Sequence, residues 1–279
     1  MDKSARPLRV DSHFHVFQAG VSTSGARYVP GYSAPLDAWW RGARSAGVTH
    51  GVLVQPSFLG TDNRLVLDSL VAYPGRLRGV AVVPPAVTGE VLAEMDAVGV
   101  RGVRLNLVGG SHDMTEWSQV HSLWDQLLAM NWHVELHTDP GRLPEVLPRL
   151  PSCLPVVVDH MGKPLQVRAG DATIAMLRSQ RRGRVSVKLS GAYRLGGLDA
   201  QGLARVLLDE LGPSALLWGS DWPCTNNEDQ ADYSRLFEDL TGWVGADCLN
   251  AVLCDNPMRL FWGTDDVFES PTAQRIESA

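Results

Sequence analysis

Eight short runs of β-branched and leucine residues alternate with amphipathic stretches along this 279-residue chain, at 8–17, 51–56, 77–83, 100–108, 133–138, 155–160, 185–190 and 215–221. Strands that are apolar at nearly every position are buried on both faces, so the pattern predicts a parallel sheet covered by helices. Helical periodicity falls at 62–72, 89–98, 116–130, 172–180, 200–211 and 230–243, mostly behind an Asp, Thr or Ser that can cap the first turn. About eight strand–helix units in about 250 residues fit a closed (β/α)8 TIM barrel better than an open doubly wound sheet. No GxGxxG follows the first run and no GxxxxGK[ST] occurs, which removes the best signals for dinucleotide or P-loop binding. The chain reads as a single domain, 1–279, with its core at about 9–262 and a polar, proline-bearing tail at 263–279.

A hydrophobic content of 44% can fill a large core. Lysine plus arginine total 25 against 31 acids, a net charge of −6, so neither nucleic acid nor an anionic membrane is an expected partner. The cysteines, Cys153, Cys224, Cys248 and Cys254, show neither zinc-ribbon nor CxxC spacing, and reduced thiols are the expectation. The first nine residues lack a signal-peptide apolar stretch and no run approaches a membrane span. The expectation is a soluble, cytoplasmic protein, a monomer or a homodimer.

Polar residues recur at one end of the strand runs. His13 and His15 are two apart on the first and therefore share a face. Gln55 and Ser57 end the second, Arg104 and Asn106 the fourth, His137 the fifth, Asp159 and His160 the sixth, Lys188 and Ser190 the seventh, and Asp221 the eighth. All lie toward the C-terminal ends, the face on which barrel enzymes assemble their sites. If first and last strands are neighbours, His13, His15 and Asp221 meet, and burying three such groups without partners would be costly. Asp11 and Asp159 are read as orienting imidazoles or capping loops. His50, His112, His121 and His133 are read as structural, and the basic run 178–184 as a solvated helix end.

Five motifs carry a resemblance: Asp11-Ser12-His13-Phe14-His15, Gln55-Pro56-Ser57 with Gly60-Thr61-Asp62-Asn63, Asp159-His160-Met161-Gly162-Lys163-Pro164, Val187-Lys188-Leu189-Ser190-Gly191-Ala192-Tyr193-Arg194 and Trp218-Gly219-Ser220-Asp221-Trp222-Pro223. In this order the chain resembles the amidohydrolase superfamily, in its 2-pyrone-4,6-dicarboxylate lactonase-like branch, from about Arg9 to Trp262. The resemblance implies hydrolysis of a small carboxylated or sulfonated lactone, such as 2-pyrone-4,6-dicarboxylate or a muconolactone, in aromatic-compound breakdown. It implies Asp221 as general base toward water, and His13, His15 and His160 as the groups that stabilise the oxyanion, directly or through a metal. Tyr28, Ser57, Arg104 and Arg194 match positions that bind substrate carboxylates.

Two departures follow. A further arginine that the branch places after Arg104 is replaced by Val108-Gly109-Gly110-Ser111-His112, and His137 stands where metal-binding amidohydrolases carry a ligand. The cofactor expectation is therefore none or one divalent metal, zinc best suiting His13, His15, His137 and Asp221. Cys224 is read as a neighbour of the site, since no helix start or cation would lower its pKa. The loops 20–32 and 109–116 are expected to read the substituents of the lactone. The rival functions are a zinc-dependent decarboxylase or sugar-lactone hydrolase of the same superfamily, and a barrel that merely binds an anion.

Overall fold

In the computed structural model, which describes residues 8–263 apart from 25, 119 and 231, the eight apolar runs become strands. They are β1 Val10–Phe14, β2 His50–Val54, β3 Leu77–Ala81, β4 Val100–Asn106, β5 His133–His137, β6 Val156–Val158, β7 Val185–Leu189 and β8 Leu216–Trp218. They form one sheet in sequence order, every neighbouring pair parallel. This is the single (β/α)8 barrel expected from the alternation.

The ring closes at its C-terminal rim. Asp221 donates its backbone N–H to His13 O and His15 donates to Trp222 O, both at 2.8 Å, beside a parallel bridge between Phe14 and Trp222. Gly219 makes this approach possible, because a Cβ there would lie 2.4 Å from the Cβ of His13. The pairing of β1 with β2 is irregular between Asp11 and Phe14. Asp11 meets Trp39 and Tyr233 on the helical side, while His13 faces Glu135, Asp159 and Lys188.

Most of the core lies between sheet and helices, around Phe14, Trp39, Leu70, Leu92, Leu127, Ile174 and Leu203. A second cluster joins Val10, Val52, Val80, Val157 and Leu217 to Met258, Phe261 and Trp262 from the end of the described chain. These last residues are pinned to the strand starts: Arg78 Nε donates to Phe261 O at 3.1 Å, and Trp262 Nε1 to Gly75 O at 2.7 Å.

Several elements differ from the sequence expectation, among them short helices at Leu143–Val146 and Ala246–Asn250 that no expected helix covers. A helix at Leu36–Ser45 was not anticipated. The run 116–130 is two helices, Thr115–Ser118 and His121–Ala129, broken where Val120 leaves helical geometry (φ −97°, ψ 48°). The helix expected at 230–243 is Tyr233–Val244, its start set by Asp232, whose side chain accepts from the N–H groups of Ser234 and Arg235. Apart from Gly263, the tail expected at 263–279 falls outside the described residues. Among those residues no helix is long and apolar enough to cross a membrane.

Candidate active site

The seam between β1 and β8 brings the two ends of the chain to one point. His13 Nε2 and His15 Nε2 are 3.2 Å apart, and lie 3.7 and 3.5 Å from Asp221 Oδ1. His15 Nδ1 is 2.7 Å from Val54 O. A carbonyl only accepts, so Nδ1 carries a proton and donates it to Val54 O. His160 Nδ1 lies 2.9 Å from Ser190 Oγ, and its Nε2 is 3.8 Å from Asp221 Oδ2.

The two oxygens of Asp221 have different surroundings. Oδ2 accepts from Tyr193 OH and Arg194 Nε, both at 2.6 Å. Oδ1 is buried and has no hydrogen-bond partner among the described residues. Burial opposes its charge, yet the Arg194 guanidinium holds the carboxyl well below the usual carboxylate range. One oxygen of the ionised carboxylate is therefore anchored, and the other is without a hydrogen bond among the described residues.

Backbone strain gathers here too. Asp221 has φ 55°, and His160, Met161, Gly162 and Lys163 have φ 49°, 57°, 70° and 42°, a left-handed turn after β6. Left-handed geometry costs roughly 1–2 kcal/mol per non-glycine residue, and this turn is what carries His160 to Asp221.

Beneath the histidines lies a buried set of opposed charges. Asp159 Oδ2 accepts from Arg104 Nη2 at 2.8 Å and Nε at 3.1 Å. Its Oδ1 is 3.2 Å from His13 Nδ1 and 3.5 Å from Lys188 Nζ. Lys188 donates to Glu135 Oε2, and lies 3.0 Å from His13 Nδ1. Arg104 Nε is 3.4 Å from Glu135 Oε1. The formal charges of Arg104, Lys188, Glu135 and Asp159 sum to zero, as burial of all four requires. Burial, reinforced by Lys188, pushes His13 far below its ordinary pKa, and burial brings His160 down to about 3. Both rings are neutral.

His13 Nδ1 thus sits between a pure donor and a pure acceptor. A proton on Nδ1 goes to Asp159 and leaves a lone pair on Nε2; a lone pair on Nδ1 accepts from Lys188 and puts the proton on Nε2. The first tautomer suits a metal and the second suits an oxyanion.

Donors about 2.1 Å from a tetrahedral zinc lie roughly 3.4 Å apart. The 3.2, 3.5 and 3.7 Å separations among His13, His15 and Asp221 fit that spacing, and the unpartnered Oδ1 supplies a carboxylate donor. These three form one candidate donor group, and His13, Asp159 and His160 form another. His137 belongs to neither. Its Nδ1 is 3.2 Å from Arg104 Nη2, its buried Nε2 has no partner among the described residues, and its ring lies 4.6 Å from that of His160.

A model of the amidohydrolase family matches residues 10–262. The chain belongs to the amidohydrolase family. Similarity within it extends over nearly the full length of known members. A 2-pyrone-4,6-dicarboxylate hydrolase of Comamonas testosteroni is 30% identical over 277 residues, covering 91% of this chain and 90% of that one. A 4-sulfomuconolactone hydrolase of Rhizobium radiobacter is 29% identical over 274 residues, covering 90% and 89%. The solved structure of a candidate 2-pyrone-4,6-dicarboxylic acid hydrolase from Pseudomonas putida aligns with a TM-score of 0.84 at 39% identity, covering 93% of this chain and 99% of that one.

In this amidohydrolase a pocket of about 230 Å³ opens above the seam, and His15, Tyr28, Ser57, Arg104, His137, His160, Arg194 and Asp221 all line it. His13 lies just beneath, fully buried. Arg104 and Arg194 are already paired with Asp159 and Asp221, and Tyr28 OH donates to Glu228 Oε1 at 3.3 Å. Cys224 is buried, and burial pushes its thiol up to about 12, consistent with a neighbour rather than a nucleophile.

Sequence reasoning gave no role to Glu135, Tyr193 or Arg27. Glu135 had a signal, an acid in the middle of a buried strand between two histidines; Arg27 had none, being one basic residue in a loop.

Proposed function

We propose that this amidohydrolase opens a small anionic lactone, of the 2-pyrone-4,6-dicarboxylate or muconolactone kind, by attack of an Asp221-activated water on the ester carbonyl. The observation that carries the reading is the free, buried, ionised Oδ1 of Asp221, held 3.5 to 3.7 Å from two imidazole nitrogens. Water gives a proton to Oδ1 as its oxygen adds to the carbonyl carbon. The developing oxyanion is met by histidine N–H groups, His13 Nε2 in the tautomer that accepts from Lys188. The ring C–O bond then breaks and the departing oxygen takes the proton from Asp221. The new carboxylic acid ionises at neutral pH, so one proton leaves per turnover.

Where a divalent ion is bound, His13, His15 and Asp221 would hold it, and it would supply Lewis-acid polarisation of the carbonyl. Zinc suits these nitrogen and oxygen donors. Ser57 and Tyr28, with the outward N–H groups of Arg104 and Arg194, would bind the substrate's anionic groups. The four free cysteines fit a reducing cytoplasm, and monomer or homodimer is the proposed state.

The test is Asp221→Asn assayed by loss of pyrone absorbance on 2-pyrone-4,6-dicarboxylate. The expected kcat falls by about 10²–10⁴-fold while isophthalate, an unreactive dicarboxylate, still binds. Undiminished turnover in the variant would overturn the base assignment, and release of carbon dioxide by the wild type would replace hydrolysis with decarboxylation.

A further inference from the structure

Three guanidinium groups line the pocket, those of Arg27, Arg104 and Arg194, against one lining carboxylate, Asp221. Arg194 is paired with Asp221, and Arg104 with Asp159 behind the wall. Arg27 has no ion-pair partner among the described residues. Its Nη1 lies over Gly109, where a Cβ would come within 2.3 Å, so the guanidinium fills the space that a side chain at 109 would occupy. The nearby acids are engaged elsewhere. Asp139 accepts from the Gly109 N–H, at 3.1 Å to each oxygen, and faces His112 at 3.9 Å. Glu228 Oε1 accepts from Tyr28 OH, Tyr32 OH and Asn226 N.

A fork of N–H donors with an uncompensated charge, at the exposed end of a pocket whose inner end holds the base, is suited to an oxyanion on the substrate. We infer that Arg27 is a specificity-determining residue, which selects lactones bearing a second anionic group, carboxylate or sulfonate, remote from the reacting ester. This inference rests on the lactone-hydrolase reading above. Arg27 acts in binding and leaves the chemical step alone: its charge meets a group that does not change during the reaction, which makes its contribution uniform between ground and transition state.

The experiment compares wild type with Arg27→Gln on 2-pyrone-4,6-dicarboxylate and on the 6-monocarboxylate. For the dicarboxylate KM should rise by about 10- to 100-fold with kcat within about threefold, and for the monocarboxylate both should stay within about threefold. Arg27→Lys should fall between, keeping the charge without the fork. The pair 4-sulfomuconolactone and muconolactone repeats the comparison for a sulfonate, and the pair with the larger loss identifies the oxyanion. An equal KM change on both members of each pair, or none, overturns the inference. Calorimetric binding of isophthalate against benzoate separates this from the activity itself. If the wild type opens no lactone yet prefers isophthalate, and Arg27→Gln erases that preference, the lactone reading fails and the Arg27 assignment stands; if the preference survives the substitution, the assignment fails.

Discussion

Replacing Lys188 by methionine removes one positive charge from a chamber in which Lys188, Glu135 and Asp159 are wholly buried and Arg104 is 3% exposed. Glu135 loses its closest partner and keeps Arg104, at 3.4 Å and already committed to Asp159, beside the imidazoles of His13 at 3.6 Å and His133 at 3.9 Å. Breaking a buried pair on one side leaves an uncompensated charge and costs about 3–5 kcal/mol. At about 2–4 °C per kcal/mol for a domain of this size, the Tm should fall by about 6–20 °C. Glu135→Gln combined with Lys188→Met restores neutrality with side chains of similar volume, and should recover at least about 2 kcal/mol of that loss. Differential scanning calorimetry at pH 7 on both single variants and the double completes the cycle. A fall of less than about 3 °C for Lys188→Met alone, or a double variant as unstable as the sum of the singles, would refute the view that these four buried charges balance one another.

Gly219→Ala should destabilise by about 3 kcal/mol or more and abolish activity, because the new methyl lies 2.4 Å from the Cβ of His13 and forces the seam apart; thermal melts and turnover check it together. Lys163, lowered to about 8 by burial against an ordinary value of 10.5, gives a pH signature. Between those values the unfolded chain keeps a proton that the folded chain has released, so this residue makes the fold more stable as pH rises, and Lys163→Met should flatten the slope in urea melts from pH 7 to pH 10. Elemental mass spectrometry of the purified enzyme should find about one zinc per chain with activity lost on chelation if His13, His15 and Asp221 act as ligands, and His15→Ala should then lower zinc content in parallel.

The site's centre was readable because its residues contradict their surroundings. His13, His15 and Asp221 interrupt apolar strand runs, and period-two alternation alone puts both imidazoles on one face. Their meeting needed only the assumption that a ring of eight strands closes. Glu135 stood out in the same way, between His133 and His137, but its role was not legible, since its partners Lys188, Arg104 and His13 come from three other strands and no local spacing encodes them. The helix Leu36–Ser45 does carry a legible pattern, since Leu36, Trp39, Trp40 and Ala43 fall at i, i+3, i+4 and i+7, but it is short and Pro35, not an Asp, Thr or Ser, stands at its cap position. Arg27 gained meaning only when the loop folded over Gly109.

The rim of the barrel where the first and last strands meet also sets when this protein can work. Asp11 accepts hydrogen bonds from the Ser220 N–H and hydroxyl at a sequence separation of 209, and the proposed base Asp221 and the β1 histidines His13 and His15 lie on opposite sides of that join. Contacts so distant in sequence carry the largest loop-closure entropy of any in the ring. A nascent chain that has not yet delivered its eighth strand therefore has the histidines without the proposed base, and on the mechanism proposed above chemistry begins only once Asp221 has joined them. Activity is in this sense a report on ring completion, and two separately expressed halves of the barrel would regain it only by closing the same seam.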